Sequence, residues 1–145
     1  MYSVAPEVVS LMLVEDDPGH SRLIQKNLRR AGFANKIQLH TDGQSALDAL
    51  FTTKHQNESW LVLLDLNLPV LDGYQVLERI KQNELTQKVP VIILTTTDAP
   101  REIERCYALG CNAYISKPIQ YEEFTDVIRK LGLFLSVVKL PDKES

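Results

Sequence analysis

Five polar side chains of this sequence stand at the ends of short apolar runs. Glu15 and Asp16 follow Leu11 to Val14, Asp65 follows Trp60 to Leu64, Thr95 follows Val91 to Leu94, and Lys117 follows Ala113 to Ser116. If the runs are neighbouring strands, three carboxylates converge, and like charges that close raise one another's pKa unless a cation joins them. An acidic, all-oxygen cluster suits a hard divalent ion such as Mg2+, or Mn2+. A hydroxyl and an ammonium around a metal-bound carboxylate make a site for a phosphoryl group: metal and Lys117 neutralise its oxygens, Thr95 donates a hydrogen bond, and Asp65 is the nucleophile. Each residue taken singly has a plainer explanation. Acids before a helix cap it through its dipole, and Asp17 is assigned to that role; Thr95 suits a turn and Lys117 an exposed position before proline.

The elements that must position these residues alternate along the chain. Apolar runs at Leu11–Val14, Ile37–Leu39, Trp60–Leu64, Val91–Leu94 and Ala113–Ser116 are each followed by a helical pattern: Pro18–Ala31, Gln44–Phe51, Gly73–Asn83, Pro100–Leu109 and Tyr121–Val138. The run at Trp60 is too short for a globular helix and fits a strand buried on both faces. Strict alternation predicts an α/β fold, a doubly wound, five-stranded parallel sheet with helices on both faces. Ligands of such sheets bind at the carboxyl ends of the strands, where the five polar residues fall. Capping supports the boundaries. Asp17 precedes Pro18, Thr41-x-x-Gln44 matches a capping box, Asp72 precedes the third helix, and Gly32 and Gly110 close the first and fourth.

Composition narrows the function classes. With 145 residues, 44% hydrophobic and 24% charged, the chain suits one soluble domain. A net charge of −3 with scattered basic residues argues against nucleic acid or an anionic membrane as a partner. No secretory signal and no run near the roughly 20 apolar residues of a membrane span is present, so a cytoplasmic protein is expected. Cys106 and Cys111 lack Cys-x-x-Cys spacing and are read as reduced thiols; His20, His40 and His55 lack metal-ligand spacing and are read as surface or loop residues.

The motifs Leu13-Val-Glu-Asp-Asp-Pro18, Leu64-Asp-Leu-Asn-Leu-Pro69 with Asp72-Gly73, Pro90-Val-Ile-Ile-Leu-Thr95 and Tyr114-Ile-Ser-Lys-Pro118 resemble the receiver domain of two-component response regulators. The likeness implies a flavodoxin-like (βα)5 fold with strand order 2-1-3-4-5 and a phosphoryl group accepted on Asp65 from a histidine kinase. It further implies Asp16 as a direct metal ligand, Glu15 acting directly or through water, and Asn67 contributing its backbone carbonyl. Thr95 and Tyr114 would be a switch pair and Lys117 a phosphoryl contact. Asn67 and Thr97, two residues beyond the acceptor and the switch hydroxyl, would tune hydrolysis; both are polar and modest in size, so an aspartyl-phosphate of ordinary lifetime is expected.

Residues 1–9 are then an extension, 10–132 the receiver domain, and 133–145 the end of the last helix and a tail. Phe124, Val127, Ile128, Leu131 and Leu135 make one apolar helix face; Leu133, Phe134, Val137, Val138 and Leu140 exceed it, which predicts a homodimer through helix and tail. The segments Asn112 to Ile119 and Leu133 to Pro141 are also similar to single-domain regulators paired with bacterial phytochrome histidine kinases, implying a light-sensing partner. Two other classes compete. A Mg2+-dependent phosphatase or phosphotransferase of the haloacid dehalogenase type also uses an aspartate nucleophile, but the second acid is here Asn67 and no cap domain fits. A dinucleotide-binding domain would need Gly-x-Gly-x-x-Gly after the first strand, which is absent.

Overall fold

A computed structural model describes residues 9–52, 59–117 and 121–135, without the side chains of residues 121, 124 and 132–135. Strands β1 (Val9–Val14), β2 (Ile37–His40), β3 (Ser59–Leu64), β4 (Val91–Thr95) and β5 (Ala113–Ser116) alternate with helices α1 (Pro18–Arg30), α2 (Gly43–Phe51), α3 (Gly73–Gln82), α4 (Pro100–Leu109) and α5 (Tyr121–Leu135). The strands form one parallel sheet in the order β2-β1-β3-β4-β5, the expected doubly wound topology.

Parallel strands bury both faces, and the side-chain period of two splits each strand between two cores. Met12, Val14, Val62, Leu64 and Ile93 face α2, α3 and α4, meeting Leu47, Val76, Leu77, Ile80 and Cys106. Leu11, Leu13, Leu61, Leu63, Ile92 and Leu94 face the other way and meet Ile24 and Leu28 of α1 and Ile128 and Leu131 of α5. The expected sheet-facing stripe of α5 is thus present at Ile128 and Leu131. Leu133 and Phe134 fall within α5 by backbone, their side chains outside the described residues; Val137, Val138 and Leu140 lie outside them altogether.

Two helix starts follow the capping logic, one has no side-chain cap and one shifts. Asp17 Oδ1 accepts from His20 N at 3.0 Å, and Asp72 forms a full capping box with Gln75. α4 begins at Pro100, a residue suited to the first helical position, and has no side-chain cap because Ala99 carries no acceptor. α2 corrects the sequence reading. Its cap is Asp42, whose Oδ1 accepts from Ser45 N at 2.7 Å, and not Thr41, because a carboxylate in extended backbone is the stronger acceptor. Gly110 ends α4 at φ 106°.

Candidate functional site

Backbone hydrogen bonds continue past the strand ends and hold the polar residues in place. Glu15 N donates to His40 O at 2.9 Å, Asp65 N to Val14 O at 3.0 Å, and Lys117 N to Thr95 O at 2.6 Å. The residue after each strand is therefore still part of the ladder, and its side chain is aimed as firmly as one inside the sheet. The following loop is held by close approach. A Cβ at Gly73 would stand 2.4 Å from Asp65 O and 2.5 Å from Leu66 Cα. α3 thus starts directly against the Asp65 backbone, and only glycine allows it.

Asp65, Thr95, Lys117 and Glu15 are all buried and meet at one point. Thr95 Oγ1 donates to Asp65 Oδ1 at 3.0 Å, Asn67 N donates to the same oxygen at 3.1 Å, and Lys117 Nζ donates to Asp65 Oδ2 at 2.8 Å. Lys117 Nζ also donates to Glu15 Oε1. The cation that joins the carboxylates in this structure is therefore the Lys117 ammonium. Asp16 and Asn67 are exposed beside this cluster, so two of the three expected acids converge and the third faces solvent. Among the described residues no three acidic, histidine or cysteine side chains form a ready-made metal cage.

The electrostatics separate the two buried acids. Burial pushes Glu15 up to about 7, with the Asp65 charge adding to it and the Lys117 hydrogen bond opposing it. Burial also pushes Asp65 upward, but the Lys117 hydrogen bond and charge, the Asn67 N–H and the Glu15 carboxyl outweigh it, and Asp65 lies below the usual carboxylate range. Two carboxyls whose surroundings drive their affinities for protons apart take different roles. Asp65 is the more readily ionised of the two and Glu15 the one that binds a proton more tightly. The donor set of Glu15, Asp16 and Asp65 is all oxygen, which suits a hard divalent ion that keeps several waters.

Tyr114 is half-buried against the α2–α4 core, and its hydroxyl donates to Thr97 O at 2.6 Å. Burial, then nearby negative charge, raises this phenol to about 12, so it remains a donor. The ring on β5 is thereby tied to the loop after Thr95, and Thr97 enters the site through its carbonyl.

His20, read from the sequence as a surface or loop residue, has a part-exposed side chain that also reaches the site. Its Nδ1 lies 3.2 Å from Lys117 Nζ and 3.9 Å from Glu15 Oε1. The only trace in the sequence is its position in the first turn of the helix that follows the acids, where a side chain leans back over its helix N-terminus. His40 is tied locally to Ser45 Oγ and Gln38 Oε1, and His55 lies outside the described residues. Asp17 is the cap it was expected to be. Cys106 and Cys111 are free and buried, and burial pushes both thiols up, which makes them unreactive. No helix among the described residues is long and apolar enough to cross a membrane.

Comparison with known proteins gives the same picture. A receiver domain from Rhodospirillum rubrum superimposes with a TM-score of 0.86 at 52% identity, covering 91% of this chain and 96% of that one. The phosphorylated cyanobacterial phytochrome response regulator RcpA gives 0.83 at 32% identity, over 95% of this chain and 100% of its own. Response regulator Rcp1 of Synechocystis sp. is 34% identical over 140 residues, 94% of each chain, and a Mn(2+)-bound Rcp1 structure matches with a TM-score of 0.82 over 92% of this chain and 99% of that one. None of these is a haloacid dehalogenase. With residues 11–129 matching the response regulator receiver domain, this chain belongs to the receiver domain family of two-component response regulators.

Proposed function

We propose that the protein is a single-domain response regulator that accepts a phosphoryl group on Asp65 from a histidine kinase and thereby changes its affinity for a partner. The observation that carries this reading is the pair of oxygens of the buried Asp65, one met by the Thr95 hydroxyl and the other by the Lys117 ammonium. In the transfer, an Asp65 oxygen forms a bond to phosphorus while the bond from phosphorus to the donor breaks, and the donor leaves with the electron pair. Lys117 neutralises a phosphoryl oxygen and Thr95 donates to another. Glu15, Asp16, Asp65 and the Asn67 carbonyl would hold Mg2+ or Mn2+, which when bound supplies further neutralising charge at the phosphoryl oxygens. Thr95 moving toward the phosphoryl group would draw on the β4–α4 loop to which Tyr114 is bonded, and this is the switch. Slow hydrolysis, tuned by Asn67 and Thr97, returns the protein to rest.

The likeness to the phosphorylated cyanobacterial phytochrome response regulator RcpA supports a bacterial phytochrome as the kinase. The apolar tail, with Leu133, Phe134, Val137, Val138 and Leu140, supports a homodimer, and sedimentation showing a monomer at high micromolar concentration would remove that part. The central test is incubation with Mg2+ and acetyl phosphate followed by intact-mass measurement. One phosphoryl adduct is expected on the wild type and none on Asp65→Asn. An adduct that persists in the variant, or rapid turnover of phosphate esters, would overturn the assignment; a half-life of many hours would contradict the ordinary lifetime expected from Asn67 and Thr97.

A further inference from the structure

The loop from β3 to α3 leaves the site at Asp65 and returns to it at Gly73, whose N–H donates to Leu66 O at 2.9 Å. At its tip Leu71 N donates to Pro69 O at 2.8 Å across Val70, which has φ 70°. A three-residue turn with positive φ at its centre is the strained kind, and a β-branched residue is costly there. Val70 is 78% exposed, so its side chain gains little packing to offset that strain. The turn is therefore imposed by what holds the backbone on either side. One side is Gly73, set against the Asp65 backbone. The other is Gly43, the first residue of α2. A Cβ at Gly43 would stand 2.4 Å from Leu71 O, 2.6 Å from Val76 Cγ2 and 3.0 Å from Leu71 Cβ. Its backbone is not left-handed, and in a helix alanine is the better residue. What glycine supplies at this position is room for the Leu71 carbonyl.

Between these two contacts the chain is stiff. Pro69 has a fixed φ, the turn hydrogen bond ties it to Leu71, and Leu68 and Leu71 are half-buried against the α2–α4 core. Near the start of the same loop Asn67 N donates to Asp65 Oδ1 at 3.1 Å. We propose that Gly43 is a positioning residue for the phosphoacceptor: by admitting the Leu71 carbonyl it keeps loop 66–72 pressed inward, and with it the Asn67 peptide on Asp65. The strain at Val70 is the mark of that compression. The inference rests on Asp65 as the phosphoacceptor and gives α2, which places no side chain in the cluster around Asp65, a hold on the site.

Gly43→Ala in the full chain tests this with two readings. In the metal-free protein the Asn67 amide proton is expected to move upfield by NMR, as its hydrogen bond to Asp65 lengthens. By titration calorimetry Mg2+ affinity is expected to fall about tenfold, the size of effect seen when a group that orients a metal ligand is disturbed. Adding Val70→Gly frees the tip of the loop, so that Leu71 O can shift without dragging Asn67, and both readings should return toward wild type. Leu50→Ala, which removes core packing from the last turn of α2, should lower the melting temperature and move neither reading. An Asn67 amide and a Mg2+ affinity unchanged in Gly43→Ala overturn the proposal, as do equal shifts in Leu50→Ala or a double variant no closer to wild type than the single one. Thermal melting verifies folding; if Gly43→Ala is not folded, the same substitution in a Val76→Ala background, which removes the side-chain part of the crowding, is compared with Val76→Ala alone. Absence of beryllofluoride binding to the Mg2+-loaded wild type would remove the phosphoacceptor reading, while the amide shift in the metal-free chain would still decide whether Gly43 holds the loop.

Discussion

Two lysines, one at each end of the sheet, are held by three acceptors apiece. At the carboxyl end Lys117 meets Glu15, Asp65 and His20. At the amino end Lys81 of α3 donates to Gln87 O, Val89 O and Asn112 Oδ1 at 3.2, 2.7 and 3.2 Å, and Asn112 Oδ1 also accepts from Val91 N at 2.8 Å. The coordination count is the same, but the acceptors differ in charge. Lys81 is bound only by neutral oxygens, and burial pulls its ammonium below the ordinary lysine range. It staples the loop between α3 and β4 to the start of β5, and nothing about that arrangement asks for a further ligand. Lys117 stands between two buried carboxyls, one of which has been pushed up to about 7. Saturated neutral acceptors make a fastener; clustered carboxyls around one ammonium leave negative charge that a further cation can relieve.

That contrast can be broken most directly by removing the ammonium from each end. Lys117→Met leaves Glu15 and Asp65 facing each other in a buried site, and the expected loss of folding stability is about 3 kcal/mol at pH 8 by denaturant titration. Added Mg2+ should restore much of it. Equal stability of this variant and wild type in the absence of metal would mean that the ion pair carries no such load.

A second effect is set by protonation of Glu15. Its folded value of about 7 lies above its ordinary 4.5, so between these values the folded chain holds a proton that the unfolded chain has released. The contribution of Glu15 to metal-free stability is therefore fully present below pH 4.5 and is lost as pH rises toward 7, by on the order of 2 kcal/mol. Metal binding runs the other way, because the ion must displace that proton: Mg2+ affinity should rise about tenfold per pH unit below 7 and level off above it. Both slopes should vanish in Glu15→Gln, and a pH-independent Mg2+ affinity in wild type would show that Glu15 is not the titrating group. The smallest effect belongs to the amino end. Lys81→Met should cost about 1 kcal/mol, since the half-buried carbonyls it leaves can be hydrated, with no response to Mg2+ in the same titration.

Much of this protein is written locally. Each strand appears as an apolar run, the starts of α1 and α3 as capping residues, and Glu15, Asp65, Thr95 and Lys117 as the first position beyond a run, because burial on both faces of a parallel sheet leaves room for polarity only at strand ends. Order along the chain thus determined the fold and brought Glu15, Asp65, Thr95 and Lys117 to the same end of it. The sequence reading misplaces the cap of α2 by one residue, at Thr41, since the neighbouring Asp42 in extended backbone is the stronger acceptor. Pairings across the sheet are of a different kind. Whether Lys117 faces solvent or joins two carboxyls, whether His20 hangs free in the first turn of α1 or touches that ammonium 97 residues away, and whether Lys81 is one more surface charge or a staple reaching Asn112, 31 residues on, depends on the twist of the strands and the packing of helices. No local pattern encodes these contacts, because each side chain has the same intrinsic preferences in either setting. Tertiary structure decided them by placing specific acceptors within reach of a long, flexible donor.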